Sequence, residues 1–178
     1  MKILVASDIH GSSFYTKKLL SIIQTTNPEK VILLGDIYYH GPRNKFPKKY
    51  APMKVAESLN TLTNKLVCIK GNCDSEVDQM ISEFKFVDSF EMNILGKKFL
   101  FKHGHKLNFD NLPSFDVVFS GHTHINGIKT INNTICVNPG SVSLPKEKTA
   151  NSYAIIDEEL IKIYSFKGEI LHQIKFSS

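Results

Sequence analysis

The sequence predicts an α/β fold made of a parallel β-sheet followed by a strand-rich region. Short apolar runs alternate with amphipathic, helix-like segments in the first part of the chain, up to about Gly71. Such alternation requires right-handed crossovers and gives a parallel sheet. The rest of the chain consists mainly of apolar runs separated by turn residues. Together the two patterns indicate two packed sheets flanked by helices.

The first half is predicted to contain three strands and two helices. The run KILVAS predicts the first strand, and a helix over Ser13–Thr25 follows it and stops at an Asn-Pro pair. KVILL predicts the second strand, which Gly35 closes. A proline-rich loop then leads to a helix around Met53–Leu62 and to the third strand, KLVCIK, closed by Gly71.

The second half is predicted to be mostly strand and turn. FEMNILGKKFLFKHG predicts a hairpin that turns at Gly96, and DVVFSGH predicts a buried strand. GIKTINNTICVN predicts a second hairpin about Asn132 and Asn133, because asparagine tolerates left-handed backbone. SYAIID, LIKIYSF and EILHQIKF predict a terminal meander.

Composition indicates one soluble domain spanning residues 1–178, with 42% hydrophobic and 22% charged residues. We find no apolar run near the roughly 20 residues that span a bilayer, so no membrane association is expected. The first apolar stretch ends at Ser7, too early for a signal-peptide core. Three cysteines, an odd number, fit a reducing compartment, and a cytoplasmic location is predicted.

Positive charge is concentrated in one loop. Between Ile37 and Ala56 the chain has no acidic residue and five basic ones: Arg43, Lys45, Lys48, Lys49 and Lys54. This segment is either a solvated loop or a basic flap that attracts an anionic substrate. It is too short to predict binding of duplex nucleic acid.

Polar side chains with the chemistry of metal ligands follow most of the predicted strands. They are Asp8, His10, Asp36, Asn72, His103, His122 and His124. Ligand sites in open α/β sheets lie outside the carboxyl ends of the strands. Each residue alone would suit a turn or a structural role. Their repeated placement after buried strands, often beside glycine, predicts a metal site.

The types of ligand limit which metal ions could bind and which reaction they could catalyse. Imidazole and carboxylate groups suit manganese, iron or zinc and suit calcium poorly. Seven ligands exceed the needs of one tetrahedral ion, whereas two ions about 3.5–4 Å apart that share a carboxylate use them all. Two divalent ions and two aspartates leave a net positive charge, so a phosphate ester is the expected substrate. A hydroxide bound to the ions would attack its phosphorus atom.

Five motifs in order carry a family resemblance: SDIHG, GDIYYHG, GNCD, HGH and GHTH. This series resembles the calcineurin-like metallophosphoesterases. HGPRN, GNCDSEVDQ and NPGSVSLPK are similar to stretches of the small bacterial YfcE-type phosphodiesterases in particular. The resemblance implies a four-layer α/β/β/α sandwich of two mixed β-sheets flanked by helices. It also implies hydrolysis of a small anionic phosphodiester.

The resemblance further implies a role for each ligand. The first metal ion would take Asp8, His10, Asp36 and His124, and the second would take Asp36 as the bridge with Asn72, His103 and His122. The ions are expected to be manganese, with iron, zinc or nickel as alternatives. Because the oxygen of Asn72 is neutral, it leaves the second ion the stronger Lewis acid and gives this residue a catalytic role.

Position 73 departs from the family pattern. Many members have histidine where this chain has Cys73, and that histidine protonates the leaving group or binds a phosphate oxygen. A neutral thiol is a weak donor, so Cys73 is predicted to line the pocket as a replacement, neither nucleophile nor ligand. Asp74, which orients the histidine in relatives, is expected to have lost its partner. An enzyme without this acid should prefer phosphodiesters to phosphomonoesters.

Other polar residues leave alternatives open. Arg43, His40 and His105 are candidates for substrate binding, with surface-loop roles as the alternative, and His172 is assigned no function. The rival functions are a phosphomonoesterase and a silent scaffold that resembles the retromer subunit Vps29. All seven ligand positions hold competent residues, which favours an enzyme. The terminal meander could also pair with another copy of the chain in a homo-oligomer.

Overall fold

The computed structural model describes residues 1–112 and 114–177 and has the predicted α/β class, with two mixed sheets. Its strands are β1 (Ile3–Ala6), β2 (Lys30–Leu33), β3 (Leu66–Ile69), β4 (Phe86–Val87), β5 (Phe90–Ile94), β6 (Lys97–Lys102), β7 (Val117–Ser120), β8 (Gly127–Ile131), β9 (Thr134–Asn138), β10 (Ser152–Asp157), β11 (Leu160–Ser165) and β12 (Ile170–Lys175). The helices are α1 (Ser13–Thr26), α2 (Pro52–Asn60) and a 3-10 helix over Glu76–Ile81.

Strands from both halves of the chain build the larger sheet. Its order is β12-β11-β10-β1-β2-β3-β4, in which β1 to β4 are parallel and the terminal meander is antiparallel beside β1. The smaller sheet has the order β5-β6-β7-β9-β8, with β6, β7 and β9 parallel. The predicted hairpins and meander are therefore confirmed. The short β4 and the 3-10 helix are additions that the sequence patterns did not predict.

Helix α1 has clear start and stop signals. The hydroxyl oxygen of Ser12 accepts from the N–H of Tyr15, and Asn27 ends the helix in a left-handed conformation with φ 44°. The predicted end at Thr25 lies one residue short. Helix α2 begins at Pro52, whose missing N–H costs nothing at a first helical position, and ends two residues before the predicted Leu62.

The core has two layers on either side of the larger sheet. One layer joins the two helices to alternate strand residues and contains Leu4, Ala6, Leu19, Ile23, Val31, Leu33, Val55 and Leu59. The other lies between the sheets and contains Ile3, Val5, Ile32, Leu34, Phe99, Phe101, Phe119 and Val137. Since both faces of the central strands are covered, these strands are continuous apolar runs without alternation.

Within the described ranges, the α-helical layer lies on the larger sheet. In the segment after β6, the centre of the Phe109 ring lies 4.7 Å from the amine of Lys129, which belongs to β8. Of the helices described, none is long and apolar enough to cross a bilayer. The three cysteines are free thiols, and Cys68 and Cys136 are buried, as the sequence predicts.

Candidate metal centre

The seven predicted ligand side chains meet at the carboxyl ends of parallel strands from both sheets. β1 leads into Asp8 and His10, β2 into Asp36 and β3 into Asn72, whereas β6 leads into His103 and β7 into His122 and His124. Parallel strands in packed sheets end on the same rim, so residues distant in sequence become neighbours there.

Asp8, His10 and His124 form one group, in which one donor atom from each residue lies within 4.8 Å of the others. The Nε2 atoms of His10 and His124 are 3.2 Å apart. The Oδ1 atom of Asp8 lies 3.3 Å from Nε2 of His124 and 3.7 Å from Nε2 of His10. Three donors so close together can share one cation.

Asp36, His103 and His122 form a second group with the same spacing limit of 4.8 Å. Oδ1 of Asp36 lies 3.5 Å from Nε2 of His103, which is also 3.0 Å from the amide oxygen of Asn72. The other oxygen of Asp36, Oδ2, lies 3.7 Å from Nε2 of His10. Asp36 therefore directs one oxygen to each group, a position from which a carboxylate can bridge two cations.

Backbone carbonyls fix the orientation of three imidazoles. Nδ1 lies 2.7 Å from a carbonyl oxygen in each of the pairs His10–Tyr39, His103–Leu34 and His124–Leu144. A carbonyl can only accept, so Nδ1 carries the proton and donates it. Nε2 is then left as a lone-pair donor toward the centre, which is the arrangement that metal-binding histidines require.

Five ligand residues have left-handed backbone. Their φ angles are 57° for Asp8, 50° for His10, 56° for Asp36, 68° for His122 and 63° for His124. This conformation costs on the order of 1–2 kcal/mol for residues with a Cβ, although Asp tolerates it better than most. Strain of this kind persists where the surrounding structure enforces it, and it is concentrated at functional sites.

Asp74 holds the loops of the centre together. Its carboxylate accepts hydrogen bonds from the backbone N–H groups of Asp36 at 2.7 Å, Ile37 at 2.8 Å and Gly71 at 2.7 Å. Asp74 therefore has three backbone partners, although the histidine that it would orient in relatives is replaced by Cys73. Burial raises the pKa of Asp74 to about 6 against the opposing effect of the N–H donors.

Two serines that sequence reasoning did not select brace the first ligand. The hydroxyl of Ser141 donates to the carbonyl of Asp8 at 2.7 Å, and that of Ser143 donates to the carbonyl of Ile9 at 2.7 Å. Both belong to the NPGSVSLPK stretch, which was noted for its family resemblance without an assigned role. Glycine is also required nearby, since a Cβ on Gly71 would collide with the carboxylate of Asp36.

The charges of the centre fit a cation. Burial would raise the pKa of Asp8, but the adjacent imidazoles of His10 and His124 hold it well below its usual range. Burial alone would lower the pKa of His103, yet the interaction with Asp36 raises it to about 9, so without a cation Nε2 holds a proton near pH 7, and a bound metal ion would take the place of that proton. The Oδ1 atom of Asp8 is buried without a hydrogen-bond partner among the described residues. An uncompensated carboxylate oxygen is costly, and a bound cation would satisfy it.

Cys73 lies beside the bridging carboxylate. Its N–H donates to Oδ1 of Asp36 at 2.8 Å, and its sulfur accepts from the amide of Asn72 at 3.4 Å. Burial and the nearby carboxylates raise the pKa of the Cys73 thiol to about 12, so the thiol is neutral near pH 7. The side chain lines a cavity of about 750 Å³ together with Asn72 and His124.

The predicted substrate-binding residues occupy different surroundings. Arg43 lines the same cavity as Cys73. The ring of His40 stacks on that of Phe46, with ring centres 4.4 Å apart. His105 is exposed, and its ring centre lies 5.4 Å from that of His103. Neither His40 nor His105 lines the cavity. His172 lies in β12 and contacts Asn126 at 3.2 Å. Substrate binding by Arg43, His40 and His105 stays a prediction.

The fold and the ligand cluster together indicate the class of protein to which the chain belongs. A two-sheet α/β sandwich with carboxylate, imidazole and amide ligands clustered at its strand ends is suited to metal-dependent ester hydrolysis. Residues 1–160 match the calcineurin-like phosphoesterase superfamily domain, and the chain belongs to that superfamily.

Individual relatives agree with this assignment. The chain is 39% identical to phosphodiesterase YfcE of Escherichia coli strain K12, in a match that covers 95% of this chain and 94% of the relative. The solved structure of that phosphoesterase from E. coli matches with a TM-score of 0.96 and 36% identity, over 99% of this chain and 100% of its own. The structure of Vps29 from Entamoeba histolytica in complex with zinc shares the fold, with a TM-score of 0.68 and 19% identity. That match covers 99% of this chain and 100% of the Vps29 chain.

Asp74→Asn tests the role of the buried carboxylate. The amide must direct its NH₂ group toward at least one backbone N–H, so we expect a loss of about 2–3 kcal/mol in the free energy of unfolding. Manganese binding should weaken as well, because the loops that carry Asp36 and Asn72 lose their connection. Urea denaturation of the metal-free protein and calorimetry measure the two effects. Asp88→Asn, at an exposed position, is the matched control; equal results for both variants would contradict this role.

Proposed function

We propose that this protein is a phosphodiesterase that works with two divalent cations. The observation that carries the proposal is the position of Asp36, which directs one oxygen to His10 and the other to His103. A carboxylate shared in this way supports two adjacent cation sites more than one. The 39% identity to a phosphodiesterase of E. coli supports the reaction.

The seven ligands divide between two cation sites in this proposal. The first site consists of Asp8, His10, Asp36 and His124, and the second consists of Asp36, Asn72, His103 and His122. When bound, the cations supply an activated water and neutralise charge on the phosphoryl oxygens. A set of imidazole, carboxylate and amide donors suits manganese, with iron, zinc or nickel as alternatives.

The residues of the chain have separate tasks in this reaction. The carbonyls of Tyr39, Leu34 and Leu144 keep each imidazole lone pair directed at the centre. Asn72 contributes a neutral oxygen, which leaves the second site more electrophilic than a carboxylate would. Cys73 stands at the position from which an acid would protonate the leaving group, and its neutral thiol donates weakly.

The weak proton donor at position 73 affects which class of phosphate ester the enzyme would prefer. A diester has one negative charge and repels an attacking anion less than a dianionic monoester does. A missing general acid matters least when the leaving group is stable without a proton. We therefore infer that small anionic phosphodiesters are the substrates. The cytoplasmic location is part of the same proposal, supported by three free thiols.

Metal analysis tests the number of ions. The manganese-loaded protein should contain about two ions per chain, and His124→Ala should retain about one, because only the first group loses a ligand. Mass spectrometry of metals after gel filtration gives both values. His172→Ala, a histidine outside the centre, should match the wild type. One ion per chain in the wild type would contradict the two-site proposal.

Paired aryl substrates test the reaction. With manganese, bis(4-nitrophenyl) phosphate should be cleaved faster than 4-nitrophenyl phosphate, since the leaving group is the same and only the ester class differs. Asp36→Asn should abolish cleavage of both, which excludes a contaminating enzyme. A wild-type protein that cleaves the monoester faster would refute the diester preference.

Cys73→His tests the inferred effect of the thiol. Restoring an acid should increase cleavage of an alkyl phosphomonoester relative to bis(4-nitrophenyl) phosphate by about 10-fold or more, because an alkoxide leaving group needs the proton that 4-nitrophenolate does not. Cys73→Ser, of similar size and without an acid near neutral pH, should keep the wild-type ratio. Metal content should be unchanged in both variants; loss of metal would instead identify Cys73 as a ligand.

A further inference from the structure

The cavity over the metal centre contains two cationic side chains that the proposed reaction does not use. Arg43 and Lys146 are both exposed, come from different loops, and line this cavity of about 750 Å³. Neither forms an ion pair within the described ranges. The carboxylates that line it, Asp36 and Asp74, are buried and accept backbone N–H groups. Among the described residues, these two cations therefore have no counterion.

The loop of Arg43 is fixed to the centre. The carbonyl of Tyr39 accepts from Nδ1 of His10 at 2.7 Å. One residue further, the carbonyl of His40 accepts from the side-chain amide of Asn44 at 2.9 Å, which closes the turn that contains Arg43. The backbone from which Arg43 extends is thus held by a metal-centre imidazole.

The loop of Lys146 is fixed in a similar way. The carbonyl of Leu144 accepts from Nδ1 of His124 at 2.7 Å, and the N–H of Lys146 donates to the carbonyl of His124 at 3.2 Å. The hydroxyl of Thr149 then donates to the carbonyl of Lys146 at 2.7 Å. Since Nε2 of His124 lies 3.2 Å from that of His10, both cationic loops are attached to the same group of ligands.

We infer that the substrate is a phosphodiester that carries a second, terminal phosphate group, and that Arg43 and Lys146 bind this group. The inference rests on the proposed function, in which the ions neutralise the single charge of the scissile diester. Two further cations match the charge of a phosphomonoester, which is about −1.5 to −2 at pH 7. Arginine can hold two phosphate oxygens at once, and lysine adds a point charge.

The size of the cavity agrees with such a substrate. Sites for whole small molecules have volumes of about 300–1,000 Å³, and this cavity of about 750 Å³ is in that range. It therefore has room for a phosphodiester together with an attached group. Tyr39 also lines the cavity and is exposed, so it could offer an aromatic surface to that group.

Two thymidine substrates with the same leaving group test the inference. One is thymidine 5′-(4-nitrophenyl phosphate), and the other is identical except for a 3′-phosphate. With manganese, the 3′-phosphorylated compound should have a kcat/KM about tenfold higher, mainly through a lower KM. Because Arg43 and Lys146 are exposed, added salt should reduce this advantage.

Variants identify the residues responsible. Arg43→Gln and Lys146→Gln should each reduce the ratio of kcat/KM between the two substrates, and the double variant should bring it to about one. Lys45→Gln and Lys148→Gln are the matched controls, because these exposed lysines belong to the same loops and do not line the cavity. Both controls should keep the wild-type ratio.

The possible results separate this inference from the proposed function. Equal kcat/KM for the two substrates in the wild type overturns the inference and leaves the diesterase intact. A ratio that persists in the double variant overturns the assignment to Arg43 and Lys146. Failure to cleave either compound overturns the proposed function. Calorimetry with thymidine 3′,5′-bisphosphate tests the inference without catalysis. The wild type should bind this compound more tightly than the double variant does, and equal affinities would overturn the inference.

Discussion

The carboxylate of Asp36 is the group on which the whole centre depends. One of its oxygens faces His10 from the first strand, and the other faces His103 from the smaller sheet. A buried carboxylate is stable only when charges and hydrogen bonds compensate for lost solvation, so each neighbour has a fixed position. The N–H of Cys73 supplies one such bond, and Asp74 secures the backbone on either side. The proximity of the two ligand groups follows from this shared residue.

The two sheets matter because they bring their strand ends to the same rim. The apolar layer between them, in which Phe101 and Phe119 stack with ring centres 5.1 Å apart, fixes the relative position of the ligands that follow β6 and β7. The left-handed backbone of five ligands then turns each side chain inward immediately after its strand. This local cost is acceptable because the loops are held by hydrogen bonds to both sheets, including those from Ser141 and Ser143 to the first strand end.

Position 73 shows how one side chain can change without rebuilding the centre. Cys73 contributes its backbone N–H to Asp36, and any residue can provide that bond. Asp74 keeps three backbone partners whatever its neighbour is. These backbone contacts do not depend on the side chain at position 73, whose proton-donating ability we propose to affect substrate preference. Arg43 and Lys146, which we propose to bind the remote part of the substrate, lie on loops that the imidazoles anchor.

The sequence by itself determined the strands other than β4, both α-helices, the hairpin turns and the candidate ligand set, because these follow from apolar runs, capping residues and local motifs. It also identified Cys73 as the departure from the family pattern. Only the tertiary structure decided that the terminal meander joins the first sheet and that Asp74 holds Ile37 and Gly71. The same is true of the brace from Ser141 to Asp8 and the convergence of Arg43 with Lys146. The physical reason is that these contacts join residues far apart in the chain, such as Ile3 and Ile156 in the paired strands and Asp8 and Ser141 in the brace, and no local pattern encodes which hydrogen-bonding groups folding will bring together.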